Sequence, residues 1–214
     1  MSIDREKSSQ YIQSLFAQQD EAQLFALANS RQAGLPAINI SPEEGRFLQL
    51  LVRASGGTKA LEIGTLGGYS GSWIARGLAP GGKLFTLERD PKHAAVAQDH
   101  FHRAGVAELV DIRIGDAQSS LTGLTAEAPF DFVFIDAEKS AYLDYYSWAL
   151  DHLRIGGLVA AHNALRGGAV FETDNENETV RALRNFNLQV AGDPRVVSSI
   201  FPAGDGTLVA VRII

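Results

Sequence analysis

The chain contains no cysteine, which excludes disulfides and thiolate metal sites at once. Basic residues are the minority: 19 Lys and Arg stand against 25 Asp and Glu, for a net charge of −6. No basic patch is concentrated along the sequence, which argues against a nucleic-acid binder. No apolar run approaches the ~20 residues needed to span a bilayer, so no membrane partner is expected. The opening residues, MSIDREKSSQ, are polar and lack the apolar core of a secretion signal. Cytoplasmic residence is the expectation drawn from these absences. Internal repeats and low-complexity segments are missing as well.

What is present suits a globular enzyme-sized chain. With 214 residues and 45% hydrophobic content, one domain with a substantial core is expected. Residues 1–57 read as an N-terminal helical segment and 58–214 as an α/β core. Ser8 to Arg31 is helical in pattern, with Tyr11, Leu15 and Phe16 on one face and Leu24, Leu27 and Ala28 on another. The polar QQDE between them is a break. This segment packs on the core or on a second subunit. Ser41-Pro42-Glu43-Glu44 then starts a helix: Ser41 is the N-cap, Pro42 takes the first turn and Glu44 completes a capping box.

From Lys59 onward, strand and helix alternate. Strands are expected at Ala60–Ile63, Leu84–Leu87, Val110–Ile114, Phe132–Ile135 and Leu158–Ala161, with helices starting near Tyr69, Pro91, Ser119 and Ser140. Gly105 and Gly156-Gly157 read as helix exits. The polar run FETDNENE is a loop, and a helix follows from about Thr179 to Asn187. Val196–Phe201 and Thr207–Ile214 flank the turn Pro202-Ala203-Gly204-Asp205-Gly206 and read as a hairpin. Such alternation means a mostly parallel sheet with helices on both faces.

The stretch ALEIGTLGGYSGS, from Ala60 to Ser72, organises this pattern. A glycine-rich turn at the carboxyl end of a parallel strand is where open α/β sheets hold nucleotide-like ligands. The turn is not a dinucleotide fingerprint, because Leu66 stands where the second glycine of G-x-G-x-x-G belongs. No P-loop lysine follows it either. Glu62, inside the strand, suits a polar or cationic ligand better than a pyrophosphate. A plain tight connection is the competing reading.

Strand carboxyl ends share one rim, so polar residues there are neighbours whatever their separation in sequence. Glu88 can accept both hydroxyls of a ribose, or simply favour the dipole of the Pro91 helix. Asp116 can accept from an exocyclic amine, or cap the next helix. Asp136, His162 and Asn163 make a divalent-cation site with mixed oxygen and nitrogen ligands, or serve as strand-end caps and turn formers. Lys139, one turn beyond Asp136, is either a solvated lysine or a base. Tyr142, Tyr145, Tyr146 and Trp148 read as core rather than as a substrate box.

At these residues a resemblance becomes specific. LEIGTLGGYS, FTLERD, GDAQ, FDFVFIDAEKSAYLDYY, HNALRGGAV and DPRVVSSIFPAGDGTLVAVR resemble the cation-dependent O-methyltransferases of the catechol and caffeoyl-CoA type. The likeness covers almost the whole chain from Ile38 onward, in the family's order and spacing. It implies the class I methyltransferase (Rossmann-like) fold: a seven-stranded, mostly parallel sheet with a C-terminal antiparallel hairpin. It also implies S-adenosylmethionine as methyl donor, a divalent cation (Mg²⁺ or Mn²⁺), a small phenolic acceptor and a homodimer.

Carried over by position, Glu62, Gly64, Tyr69 and Ser70 line the methionine end of the donor, and Thr65 belongs to the same donor pocket. Glu88, with Arg89 beside it, holds the ribose, and Asp116, Ala117 and Gln118 frame the adenine. Asp136, His162 and Asn163 fall on the metal ligands. Lys139 falls on the catalytic lysine, with Asp136 serving catalysis and the donor pocket as well. Ile38-Asn39-Ile40 resembles the strip that closes over donor and metal.

Two departures stand out. The family usually ends its fifth strand in Asp-Asn, whereas this chain has His162-Asn163. A neutral imidazole removes one negative charge and one hard oxygen, favouring Mn²⁺, Fe²⁺, Co²⁺ or Zn²⁺ relative to Mg²⁺. Arg166 stands where plant members carry an aromatic beside the acceptor. The expected reaction is methyl transfer to one hydroxyl of a catechol-like diol. The alternatives are a donor-binding protein with a lapsed metal site, a cation-free enzyme using His162 as base, and a nicotinamide oxidoreductase.

Overall fold

The computed structural model describes residues 4–214. Three helices come first, α1 (Arg5–Phe16), α2 (Glu21–Gln32) and α3 (Pro42–Ala54). The break between α1 and α2 falls in the polar QQDE run, where Asp20 caps α2. At α3 both halves of the capping box are present, Ser41 Oγ accepting from the Glu44 amide and Glu44 from the Ser41 amide.

The core alternates β1 (Lys59–Ile63), α4 (Tyr69–Gly77), β2 (Lys83–Glu88), α5 (Pro91–Arg103), β3 (Val110–Ile114), α6 (Ala117–Leu124), β4 (Phe130–Ile135), α7 (Tyr142–His152) and β5 (Leu153–Ala161). Then come α8 (Glu178–Ala191), β6 (Val196–Phe201) and β7 (Thr207–Arg212). The seven strands lie in the order β3-β2-β1-β4-β5-β7-β6. β7 runs antiparallel to β5 and β6, and the other neighbouring pairs are parallel. Strand order reverses between β1 and β4, the crevice in which such sheets take ligands.

Strand parity sorts the side chains between two apolar layers. Leu61, Ile63, Val133, Ile135, Val159 and Ala161 pack with α6, α7 and α8. Ala60, Leu84, Phe132, Phe134 and Ala160 face α3, α4 and α5. Tyr142, Tyr145 and Tyr146 are buried in the first layer, and Tyr145 also borders the cavity at the strand tips, so it is not core alone.

Several boundaries differ from expectation. α6 begins at Ala117 rather than Ser119, because the Asp116 carboxylate caps it by accepting from the Ser119 amide at 3.0 Å. α7 is preceded by a 3-10 turn over Lys139–Ala141. Gly156-Gly157 lies inside β5, not between elements. Gly156 has φ +77°, and the pairing with β4 shifts register there, so the glycines permit an irregularity in a strand that starts at Leu153. α8 runs past Asn187 to Ala191, and the polar run begins in a short 3-10 segment over Arg166–Phe171.

Candidate active site

A cavity of about 970 Å³ opens along the strand tips. Its first wall is the glycine-rich turn. Gly64 has φ +104°, and a Cβ there would collide with the Asp136 carbonyl, so only glycine lets the tips of β1 and β4 close on each other. Leu66 is also left-handed, at φ 49°. That conformation costs a non-glycine residue about 1–2 kcal/mol. Glu88 holds it: Oε2 accepts from the Leu66 amide at 2.8 Å, and Oε1 from the Asp90 amide at 2.9 Å. A carboxylate has about four lone-pair sites, so Glu88 keeps acceptor capacity toward the cavity it lines.

Of the residues expected around the donor, Ile38, Ile40, Gly64, Thr65, Tyr69, Ser70, Glu88 and Arg89 line this cavity, as do Asp116 and Ala117. Two do not. Gln118, in the first turn of α6, is exposed and outside the cavity lining. Glu62 has no exposed surface: strand parity turns it with Ala60 toward the α4 face, beneath the turn. There it accepts from Ser70 Oγ at 2.6 Å and Thr86 Oγ1 at 2.7 Å. Burial pushes the Glu62 carboxyl up to about 7, against those two donors, with the Asp136 and Glu88 charges adding to the rise. Glu62 therefore supports Ser70 from behind rather than forming the wall.

The opposite wall joins β4, β5 and the start of α7. Lys139 Nζ donates to Asp136 Oδ1 and to Tyr142 Oη, both at 2.8 Å. The Tyr142 hydroxyl donates in turn to the His162 carbonyl at 3.2 Å. His162 is 6% exposed and lies between two acids. Its Nε2 is 3.1 Å from Glu44 Oε1, and its Nδ1 is 3.3 Å from Asp136 Oδ2. Nδ1 is buried and too poorly aligned with Asp136 to form a hydrogen bond. Asn163, at φ 60°, donates from Nδ2 to Asp205 Oδ2 at 2.7 Å.

Glu44 and Asp205 were read only as a capping residue and a turn residue. They lie 118 and 42 positions from their partners. The cost of burying a histidine or an amide without a hydrogen-bond partner was the one signal that could have flagged them.

Electrostatics follow from this packing. Burial would raise the Asp136 carboxyl, but His162 and Lys139 outweigh it and hold the group below the usual carboxylate range. Burial would lower His162, yet the Asp136 and Glu44 carboxylates push it up to about 9.

Among the described residues, no three acid, imidazole or thiol side chains converge as a metal-holding group. The candidate trio holds only two such groups, Asp136 and His162, with an amide as the third. Its chemistry nevertheless fits a cation. His162 Nδ1 is an unpartnered buried nitrogen beside a carboxylate oxygen, and an outer carboxylate takes the other ring nitrogen. Asn163 gives its nitrogen to Asp205, which leaves the amide oxygen as the ligating end.

A sheet of this order, carrying a glycine-rich turn and an acid at the tip of β2 around one crevice, defines a class I methyltransferase architecture. The chain belongs to the O-methyltransferase family, whose description matches residues 13–213. It is 43% identical over 197 residues to a catechol O-methyltransferase of Niastella koreensis, covering 91% of this chain and 89% of that one. A catechol O-methyltransferase of Mycobacterium tuberculosis is 42% identical, with 86% and 82% covered. Among solved structures, the Bacillus cereus O-methyltransferase in complex with SAH superposes with a TM-score of 0.90 at 38% identity, covering 96% of this chain and 97% of that one.

Proposed function

We propose that this protein transfers the methyl group of S-adenosylmethionine to one hydroxyl of a small catechol-like diol, with a divalent cation in attendance. The observation that carries the reading is one shared cavity. It joins the glycine turn and Glu88 on one side to Asp136, Lys139, His162 and Asn163 on the other. The names of the relatives at 42–43% identity support the diol.

In this reading Gly64, Thr65, Tyr69 and Ser70 hold the methionine end of the donor, Glu88 and Arg89 the ribose, and Asp116 and Ala117 the adenine edge. Ile38 and Ile40 cover it. Asp136, His162 and Asn163 would hold the cation, which supplies the charge that acidifies and orients the two acceptor oxygens. The imidazole nitrogen favours Mn²⁺, Fe²⁺, Co²⁺ or Zn²⁺ relative to Mg²⁺. Lys139, fixed by Asp136 and Tyr142, takes the proton of the reacting hydroxyl as the neutral amine, whose two N–H bonds donate to Asp136 and Tyr142 and whose lone pair accepts. The acceptor oxygen then forms a bond to the methyl carbon as the carbon–sulfur bond breaks. The products are a monomethyl ether and S-adenosylhomocysteine. Tyr11, Leu15, Phe16 and Leu24, left exposed on α1 and α2, support pairing with a second copy of the chain.

The cation-free alternative with His162 as base is the weaker reading, because both ring nitrogens already face carboxylates, Nε2 at 3.1 Å from Glu44 and Nδ1 at 3.3 Å from Asp136.

Incubation with S-adenosylmethionine, Mn²⁺ and catechol should yield the monomethyl ether and S-adenosylhomocysteine in equal amounts, read by mass spectrometry. Calorimetric titration should show S-adenosylmethionine binding and none for NADH. Donor binding with no methyl transfer to any catechol would overturn the enzymatic reading.

A further inference from the structure

Glu44 is 2% exposed and makes two contacts, one with each oxygen. Oε2 accepts from the Ser41 amide at 2.9 Å, and Oε1 faces His162 Nε2 at 3.1 Å. The hairpin turn between β6 and β7 backs the carboxylate closely: a Cβ on Gly204 would collide with it. The side chain is thus clamped between the start of α3, the tip of β5 and the C-terminal hairpin.

We propose that Glu44 is the positioning residue of the candidate cation centre. By accepting the Nε2 proton of His162, it fixes the tautomer whose lone pair sits on Nδ1, beside Asp136. This inference rests on the cation reading above.

The physical argument is one of donors and acceptors. A neutral imidazole has one nitrogen of each kind, and the hydrogen bond at one nitrogen decides what the other can do. An ionised carboxylate only accepts, so it rejects the tautomer with its lone pair on Nε2. Nδ1 is the nitrogen left buried without a hydrogen bond. An aspartate at position 162 would have no tautomer to set, so this duty of Glu44 arises from the histidine.

The test is Mn²⁺ binding, measured by calorimetry and electron paramagnetic resonance on the wild type, Glu44→Gln, His162→Asp and the double variant. Ser41 and His162 face different oxygens of Glu44, and glutamine has an accepting oxygen at only one of those two places, so it cannot accept from both as placed. Glu44→Gln should weaken Mn²⁺ binding by about 10–100-fold, the usual effect of losing such an outer partner. In the His162→Asp background the same change should have little effect.

Equal Mn²⁺ affinity in the wild type and Glu44→Gln would overturn the proposal, and so would an equal loss in both backgrounds. A wild type that binds no Mn²⁺ would overturn the cation reading and this inference together. If Glu44→Gln does not fold, ¹⁵N spectra of histidine-labelled wild type with Zn²⁺ decide the matter. The resonance lost in His162→Asp should show a protonated Nε2 and a coordinated Nδ1, and the reverse pattern would overturn the assignment.

Discussion

Replacing Lys139 with methionine should lower turnover by about 10²–10⁴-fold, the usual contribution of a positioned proton acceptor. Donor affinity should stay near its wild-type value. The amine reaches the cavity wall from the 3-10 turn before α7, held by Asp136 Oδ1 and Tyr142 Oη. Methionine keeps the length of the apolar stem, with sulfur in place of one methylene, and removes the amine, so the turn and the glycine-rich wall should stand. Steady-state turnover and titration with S-adenosylhomocysteine separate the two quantities. A rate unchanged in Lys139→Met would remove the lysine from the chemistry. A parallel loss of donor affinity would make it a structural residue.

Removing the divalent cation should have an effect as large. A catechol hydroxyl resembles that of tyrosine, with a pKa near ~10, and is a weak nucleophile at neutral pH. A Lewis acid is worth several kcal/mol of transition-state stabilisation, so dialysis against a chelator should cost roughly 10³-fold or more. Mn²⁺ or Co²⁺ should restore the rate better than Mg²⁺, because His162 supplies a nitrogen where a second carboxylate would favour the harder ion. Full activity in excess chelator would remove the cation from the mechanism.

The parts of the fold governed by local chemistry were legible in the sequence. Ser41-Pro42-Glu43-Glu44 is a complete capping box, Asp90-Pro91 opens α5, and the turn Pro202-Ala203-Gly204-Asp205-Gly206 between β6 and β7 closes a hairpin. Because parallel strands end on one rim, residues as distant as Glu88, Asp136 and His162 could be placed together from strand ends alone.

What was not legible depends on orientation and tertiary contact. Glu62 was expected in the donor wall, but one step of strand parity turns it toward α4. Gln118 was expected at the adenine, but it stands exposed on α6 outside the cavity lining. Glu44 and Asp205 each satisfy a local role by themselves, so nothing nearby in sequence signals that they also hold His162 and Asn163. Gly156-Gly157 reads as punctuation in one dimension and serves in three as a tolerated irregularity inside β5.

The most direct measurement of the central claim is anomalous diffraction from crystals grown with Mn²⁺ and S-adenosylhomocysteine. The expected result is one strong manganese peak within bonding distance of an Asp136 oxygen, His162 Nδ1 and the Asn163 amide oxygen, with the nucleoside sulfur across the same cavity. A donor product bound in the crevice with no peak beside Asp136 and His162, or a peak that excludes His162 Nδ1, would contradict it.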